Sequence, residues 1–238
     1  MLKKGERGDG MDKLAVLRQY FGFPAFRAGQ QTLIDAVLSG RDALGVMPTG
    51  GGKSLCYELP ALLLPGMTLV VSPLISLMKD QVMALRNAGI PAGCINSSMS
   101  LDELRETYRD ARYGAYKLLY VAPERLLTDG FCSLAQELEI PLVAVDEAHC
   151  ISQWGQDFRP SYLKIVEFLQ RLPRRPAVAA FTATATAQVR ADIIRILQLH
   201  EPETVVTGFD RPNLRFEVLR PKDKRTALLQ VLSERRDK

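Results

Sequence analysis

The chain alternates short apolar runs with amphipathic stretches along most of its length, and this alternation restricts the fold more than any other feature. Runs such as Leu-Val-Val and Leu-Val-Ala-Val are apolar on both faces, which is typical of central strands covered by helices on each side. Strands that alternate with helices of this length predict right-handed βαβ units. We therefore expect an α/β fold with a mostly parallel central sheet and helices on both faces.

The predicted elements follow one another regularly up to residue 207. Strands are expected at residues 43–47, 68–72, 93–95, 117–121, 142–145, 177–181 and 204–207. Helices are expected at residues 53–64, 74–87, 101–112, 162–171 and 186–197, together with an amphipathic run at 31–38 and a helical stretch near residue 238. Residues 11–207 are thus predicted to form one lobe. We interpret residues 1–10, which are charged and glycine-rich, as a disordered extension, and residues 208–238 as a basic connector.

A glycine-rich turn follows the first predicted strand and opens a helix. It consists of Pro48, Thr49, Gly50, Gly51, Gly52, Lys53 and Ser54. Such a turn directs backbone N–H groups at phosphate oxygens, and the helix adds the positive end of its dipole. Lys53 is expected to reach the β- and γ-phosphates, and the Ser54 hydroxyl to ligate Mg²⁺. The usual pattern has glycine where this chain has Met47. The alternative, a purely structural glycine turn, is disfavoured by the flanking strand and helix.

Two carboxylates, Asp146 and Glu147, directly follow the apolar strand predicted at residues 142–145. Asp146 is placed to hold Mg²⁺, and Glu147 to orient or deprotonate an attacking water. A solvated loop of charges is the alternative for this pair alone. Ligands of parallel α/β sheets bind outside the carboxyl ends of the strands, where both the glycine turn and the acidic pair lie. Their combination predicts a nucleotide site.

These two motifs resemble those of superfamily 2 helicases, and their neighbours are similar to segments of the RecQ family. FGFPAFRAGQ at 21–30 resembles the family's adenine-recognition motif, and VVSPLISLMKDQ at 70–81 its motif Ia, while YVAPERL at 120–126 resembles the motif that follows. CISQWGQDFRP at 150–160 looks like its aromatic-rich loop. FTATA at 181–185 resembles motif III, and FDRPN at 209–213 the closing signature of the lobe. The resemblance covers residues 12 to 235, roughly.

The resemblance implies a RecA-like P-loop NTPase lobe of a 3′→5′ DNA helicase that acts in recombination and repair. Its cofactors would be ATP and Mg²⁺, and its partner single-stranded or partly duplex DNA. Family motifs IV to VI are not found in this sequence, so a second RecA-like lobe is expected in cis. Departures from the family pattern at single positions remove no group that the chemistry requires. They are Phe23 for Tyr, Ala28 for Pro, Gln156 for His and Phe181 for Leu.

The resemblance also assigns roles outside the two central motifs. Gln30 would read the adenine edge, with Phe23 and Arg27 packed against the base plane; the alternative for Gln30 is a solvated helix start. Trp154, Phe158 and Arg159 would stack on DNA bases and add charge, or else the aromatic side chains simply plug the surface of the domain.

Four further side chains are candidates for coupling ATP turnover to DNA. His149, Thr182 and Thr184 would relay the signal, although a buried, satisfied hydrogen-bond cluster is the competing interpretation. Ser72, together with Ser76, would hold a DNA phosphate at a helix start. Lys79 is interpreted as a solvated helix residue.

Composition sets the remaining limits. The net charge of +4 permits nucleic-acid binding without arguing for it. The four cysteines have no zinc-site spacing and are expected to be reduced thiols, as in a cytosolic protein. No membrane segment is expected, and the location should be cytoplasmic, or nuclear in a eukaryote. Two other functions stay open: a non-enzymatic module that binds nucleotide and DNA, and a different P-loop enzyme, such as an RNA helicase or small-molecule kinase. The aromatic loop argues against the latter.

Overall fold

The computed structural model describes residues 12–208 and 218–234. Its strands are β1 (Ala43–Val46), β2 (Thr68–Val71), β3 (Ala92–Ile95), β4 (Leu118–Val121), β5 (Leu142–Val145), β6 (Ala177–Thr182) and β7 (Glu203–Val206). All seven predicted strands are present, and each end lies within one residue of its predicted position. They form one sheet in the order β3-β4-β2-β5-β6-β1-β7. Every recorded pairing is parallel, which confirms the predicted fold class.

The helices connect these strands in the expected alternation. They are α1 (Lys13–Phe21), α2 (Gln30–Leu38), α3 (Leu55–Leu63), α4 (Ile75–Asn87), α5 (Leu101–Arg112), α6 (Asp129–Glu137), α7 (Lys164–Arg171), α8 (Ala187–Ile196) and α9 (Lys224–Glu234). The helix predicted at 162–171 begins as a 3-10 turn, Pro160–Leu163. Helices α1 and α6 were not predicted. Among the described residues, no helix combines the length and the apolar character needed to cross a bilayer.

The sheet is covered on both faces, as the apolar strand runs predict. On one face the strands pack against α6, α7 and α8 through side chains such as Phe131, Phe168 and Ile193. On the other face they pack against α2, α3 and α4 through Leu33, Tyr57 and Met78, among others. The helices cross over from one strand to the next, so the strands run in the same direction and their carboxyl ends meet at one edge of the sheet.

The sheet order brings distant parts of the chain to one edge. Strand β1 lies between β6 and β7, and β6 separates β1 from β5. The residues that follow these strands are therefore neighbours in space: the glycine turn after β1, the acidic pair after β5, and Thr182 at the end of β6. This edge is where a parallel α/β sheet binds its ligand.

Residues 12–208 belong to one compact unit, and residues 218–234, which contain α9, belong to another. The predicted extension at 1–10, the segment FDRPN at 209–213 and most of the alternating run at 214–219 lie outside the described residues. The assignment of 208–238 as a connector stays a prediction.

Candidate functional site

The glycine turn forms a compact loop between β1 and α3. The Gly51 N–H donates to the Pro48 carbonyl at 2.8 Å, which closes the turn. Lys53 lies at its end and donates from Nζ to the Met47 carbonyl at 3.2 Å. An ammonium has three protons, so this bond leaves two for a phosphate. Met47 replaces the usual glycine without backbone strain, because its φ is not positive and its side chain is buried in the core.

Gln30 joins the loop to the segment before α2. Its Oε1 accepts from the Arg27 N–H at 2.8 Å, and its Nε2 donates to the Gly52 carbonyl at 3.1 Å. The side chain is only 2% exposed. Gly52 has φ +82°, and a Cβ there would lie 2.3 Å from Gln30 Nε2, so only glycine fits. The predicted adenine reader is thus packed directly on the phosphate loop.

Phe23 and Arg27 lie together beside the loop. The Arg27 guanidinium sits over the Phe23 ring, 5.8 Å from its centroid. It also donates to the Gly50 carbonyl at 2.5 Å. Phe23 is 45% exposed, so one of its faces remains accessible to a base plane.

These groups line one cavity of about 570 Å³ at the carboxyl edge of the sheet. Its size suits a nucleotide. The predicted site residues that line it are Phe23, Arg27, Gln30, Thr49, Gly50, Gly52, Lys53, Ser54, Asp146 and Glu147. The structure therefore brings the base-reading segment, the phosphate loop and the acidic pair around a single space.

Asp146 is the most buried carboxylate of this cavity. Its N–H donates to the Val71 carbonyl at 2.9 Å, and its Oδ1 accepts from the Glu147 N–H at 3.0 Å. Burial, followed by repulsion from the Glu147 carboxylate, raises the pKa of Asp146 to about 6, although the Lys53 ammonium opposes the shift. A buried carboxylate that is costly to ionise favours a cation at its open side.

Glu147 adopts an unusual backbone conformation, with φ +47°, which is rare for a residue other than glycine. Such strain is most often found at functional sites, where the surrounding structure maintains it. Its Oε2 lies 3.3 Å from His149 Nδ1, and this hydrogen bond is the main reason that the pKa of Glu147 is lowered. The lowered pKa keeps this carboxylate ionised at neutral pH.

His149 connects the acidic pair to β6. Its Nδ1 is also 2.9 Å from Thr182 Oγ1, which in turn donates to the Thr184 carbonyl at 3.1 Å. The Cys150 thiol, 3.8 Å from Nε2, and the Glu147 carboxylate raise the pKa of His149 to about 9. Thr184 Oγ1 lies 3.5 Å from Gln156 Oε1. The predicted relay residues thus form a continuous path from Glu147 to the segment that holds Trp154.

We call the segment 152–159 the aromatic loop. It contains Gln156, the last residue of this hydrogen-bonded path. Trp154 is 74% exposed, whereas Phe158 is only partly exposed. Arg159 donates to Asp157 Oδ2 from Nη2 at 2.6 Å and to the Pro73 carbonyl from Nη1 at 3.1 Å. The indole is thus accessible to solvent, whereas Arg159 is committed to bonds within the protein.

Ser72 does not lie where a DNA phosphate would be contacted. The residue is fully buried, and its Oγ has no hydrogen-bond partner among the described residues. Ser76, at the start of α4, is exposed. The structure therefore gives no support to a direct phosphate contact by Ser72, because the residue is buried directly after β2, where its N–H donates to the Val121 carbonyl at 3.2 Å.

Several polar side chains behind the cavity were not singled out from the sequence. Gln81 of α4 lines the cavity and lies 3.5 Å both from Ser54 Oγ and from the Tyr57 hydroxyl. Tyr120 donates to Glu58 Oε1 at 3.4 Å. Burial is the main cause that raises the pKa of Glu58 to about 7. Gln81 stands one helical turn after Leu77, and both line the cavity. Residues four apart lie on the same face of a helix, so the sequence indicates that these two side chains point the same way.

Comparisons with known proteins agree with this geometry. The protein family described as DEAD/DEAH box helicase matches residues 27–193. The ATP-dependent DNA helicase RecQ of Bacillus subtilis (strain 168) is 50% identical over 88% of this chain and 36% of its own length. The ATP-dependent DNA helicase RecQ of Pasteurella multocida (strain Pm70) is 48% identical over 87% of this chain and 32% of its own length. The Hef helicase domain of Pyrococcus furiosus shares the fold, with a TM-score of 0.59 at 19% identity, over 79% of this chain and 39% of that one. This chain spans about a third of the length of the curated relatives it matches.

Proposed function

Because the chain belongs to the DEAD/DEAH box helicase family, and within it to the RecQ family, we propose that it binds Mg·ATP and couples its hydrolysis to DNA unwinding in the complete protein. The chain is the helicase ATPase domain of a RecQ-like protein. The direction of unwinding, 3′→5′, and a role in recombination and repair are part of this proposal.

One observation carries the proposal: a single cavity holds a base-reading segment, a phosphate loop and an acidic pair. Gln30 and Phe23 line this cavity together with Asp146 and Glu147. An adenine nucleotide would be bound with its base against Gln30 and Phe23 and its γ-phosphate near Lys53 and Glu147. Lys53 would neutralise the β- and γ-phosphates, and Glu147 would take a proton from the attacking water.

The donor set also fits Mg²⁺. Ser54 and Asp146 would hold the ion, which prefers oxygen ligands and usually keeps several waters and substrate phosphate oxygens in its shell. Among residues 12–208 and 218–234, no group of three or more His, Cys, Asp or Glu side chains is placed to hold a metal ion by itself. Bound Mg²⁺ would neutralise charge that develops on the transferring phosphoryl group.

The aromatic loop is proposed as the DNA sensor of this domain. Trp154 offers an exposed ring for stacking on a base of single-stranded or partly duplex DNA. A series of hydrogen bonds connects the aromatic loop to Glu147, through Gln156, Thr184, Thr182 and His149. This connection supports an influence of bound DNA on the proposed base.

The 238-residue chain is proposed to bind Mg·ATP but to hydrolyse it slowly. Among the described residues, Arg27 is the one arginine that lines the cavity, and its guanidinium lies over Phe23 and donates to the Gly50 carbonyl. An arginine at the γ-phosphate contributes roughly 10³–10⁵ in the rate of phosphoryl transfer in related enzymes. A second RecA-like lobe in cis would supply it.

Calorimetry with Mg·ATP, followed by ATPase assays with and without single-stranded DNA, tests the proposal on this chain and on a longer protein with the second lobe. Lys53→Ala should weaken Mg·ATP binding by at least about tenfold, since a hydrogen bond to a charged group is lost. Lys79→Ala, an exposed change on α4, is the matched control. Unchanged affinity in Lys53→Ala would contradict the site. Fast DNA-dependent hydrolysis by the 238-residue chain would contradict the need for a second lobe, and a longer protein that binds but never hydrolyses ATP would favour a non-enzymatic module.

A further inference from the structure

Ser152 lies fully buried at the base of the aromatic loop and makes two hydrogen bonds through one hydroxyl. Its Oγ donates to Asp192 Oδ2 at 2.8 Å and accepts from the Trp154 N–H at 3.1 Å. A hydroxyl has a single proton. Because that proton is committed to Asp192, the lone pairs of Oγ are directed at the Trp154 backbone.

Asp192 comes from α8, forty residues further along the chain. It is buried, and its other oxygen, Oδ1, accepts from Arg195 Nη2 at 2.9 Å. The Arg195 and Ser152 hydrogen bonds lower the pKa of Asp192, so the carboxylate is charged at neutral pH. A charge-assisted bond of this kind is stronger than one between neutral groups, and it fixes Ser152 more firmly.

Backbone hydrogen bonds close the aromatic loop on itself. The Gly155 N–H donates to the Ser152 carbonyl at 2.9 Å, and the Arg159 N–H donates to the Cys150 carbonyl at 2.8 Å. A Cβ at Gly155 would lie 2.2 Å from the His149 carbonyl oxygen, so the loop rests directly on the histidine backbone. The large apolar side chain of Trp154 is exposed to solvent.

Helix α8 belongs to the same stretch of chain as the relay residues. It follows β6, whose last residue, Thr182, contacts His149, and it begins at the N-cap Thr186. The stretch from β6 to α8 therefore contacts this part of the chain at two places: at His149, through Thr182, and at Ser152, through Asp192. The Ser152–Asp192 bond is buried.

We propose that Ser152 and Asp192 are positioning residues that hold the Trp154 backbone in the orientation needed to stack on a DNA base. This inference rests on the proposed DNA role of the aromatic loop. A ring held in place before binding loses less conformational freedom on stacking than one on a mobile loop. Loss of the Ser152–Asp192 bond should therefore loosen Trp154 first and weaken its response to DNA as a consequence.

Trp154 is the only tryptophan of the chain, so its fluorescence reports on this position alone. Time-resolved anisotropy should show a larger amplitude of fast local motion in Ser152→Ala and in Asp192→Ala than in the wild type. Asp192→Asn, which keeps an acceptor for Ser152, should restore most of the wild-type signal. Arg195→Ala is the matched control, because it removes the exposed partner of the same carboxylate and spares Ser152. Mg·ATP affinity and circular dichroism should be unchanged in all four variants.

The same proteins are then titrated with a short single-stranded oligothymidylate. This titration tests DNA binding by the aromatic loop separately from the positioning role of Ser152 and Asp192. In the wild type the Trp154 signal should change on binding, and Ser152→Ala and Asp192→Ala should bind about 2- to 10-fold more weakly, the range expected for one lost hydrogen bond. A wild-type signal indifferent to DNA would overturn the DNA role of the loop. Unchanged mobility in both alanine variants would overturn the positioning role, whatever the DNA result.

Hydrogen exchange of the wild-type Trp154 amide provides a measurement that needs no variant to fold. The proposed bond to Ser152 Oγ should slow its exchange by at least about tenfold relative to an unstructured peptide. Exchange at the unstructured rate would also overturn the positioning role.

Discussion

Gln30 Nε2 donates to the carbonyl oxygen of Gly52 at 3.1 Å, so the amide proposed to read adenine also supports the phosphate loop. Binding of the base and binding of the phosphates are therefore physically connected. A change at Gln30 should affect both ends of the nucleotide, although unequally.

Gln30→Ala should weaken ATP more than it weakens inorganic triphosphate, and the structure adds that triphosphate should also lose affinity. The loop contact is one neutral hydrogen bond, which suggests a loss of about 2- to 10-fold for triphosphate. Calorimetry with both ligands measures the two losses. Phe23→Ala is the matched control, since Phe23 lies beside the base end and should leave triphosphate unaffected. Equal losses for both ligands in Gln30→Ala would assign the residue to structure alone.

Glu147→Gln should spare ATP binding and block hydrolysis in the complete protein, because the amide keeps the shape and loses the base. The same change removes the carboxylate that favours the protonated imidazole of His149. The pKa of His149, about 9 in the wild type, should therefore fall. Proton NMR titration of the 238-residue chain, with metal removed by a chelator, measures this shift. A His149 titration that is identical in both proteins would show that the two side chains do not interact in solution.

Glu58 should make the stability of the protein decrease as pH rises. Its pKa is about 7 in the folded state, against an ordinary value of 4.5, so the folded state binds more protons between these pH values. The contribution of Glu58 to the free energy of unfolding is therefore greatest below pH 4.5, and it is lost as pH rises through 7. Glu58→Gln removes the effect. Relative to the wild type, its free energy of unfolding should gain about 2 kcal/mol between pH 5 and pH 8, after allowance for partial exposure.

Urea unfolding at a series of pH values measures this difference. Tyr120→Phe removes the hydrogen bond that opposes the shift, so it should move the pH-dependent loss of stability to higher pH. If the free energy of unfolding depends on pH in the same way in the wild type and in Glu58→Gln, then the Glu58 carboxyl is hydrated and its pKa is not raised.

Trp154→Ala and Phe158→Ala should lower the ratio of DNA-stimulated to DNA-free ATPase rate in the complete protein. Stacking contributes about 1–3 kcal/mol per base, and Trp154, the more exposed of the two, should have the larger effect. Steady-state ATPase assays at saturating ATP measure the ratio. If both variants keep the wild-type ratio, the aromatic side chains only cover the surface of the domain.

The sequence predicted the strands well because their apolar, β-branched runs are buried on both faces. The missed helices show the limit of that signal. Helix α1 had a usable start, since the Asp12 side chain accepts from the Leu14 N–H, and a usable end at Gly22, which has φ +70°. Helix α6 contains glycine, serine and cysteine, and it is stabilised by tertiary packing of Phe131 and Leu134 that no local pattern reveals.

The candidate site divides in the same way. Lys53, Ser54, Asp146 and Glu147 were predictable because their chemistry depends on spacing along the chain and on a place at strand ends. The roles of these residues stay predictions, although the structure brings them to one cavity. Partners that are distant in sequence were not predictable. The bond of Ser152 to Asp192 arises only from the packing of α8 on the aromatic segment.

The place of β1 in the sheet has a consequence for the order of folding. Strand β1 ends at Val46, but its two neighbours, β6 and β7, begin only at Ala177 and Glu203. During synthesis the phosphate loop therefore emerges long before the strands that flank it. Such non-local pairing is slow to form because a long loop must close first. Nucleotide binding should thus appear late in folding, and it can serve as a signal that the entire sheet has assembled.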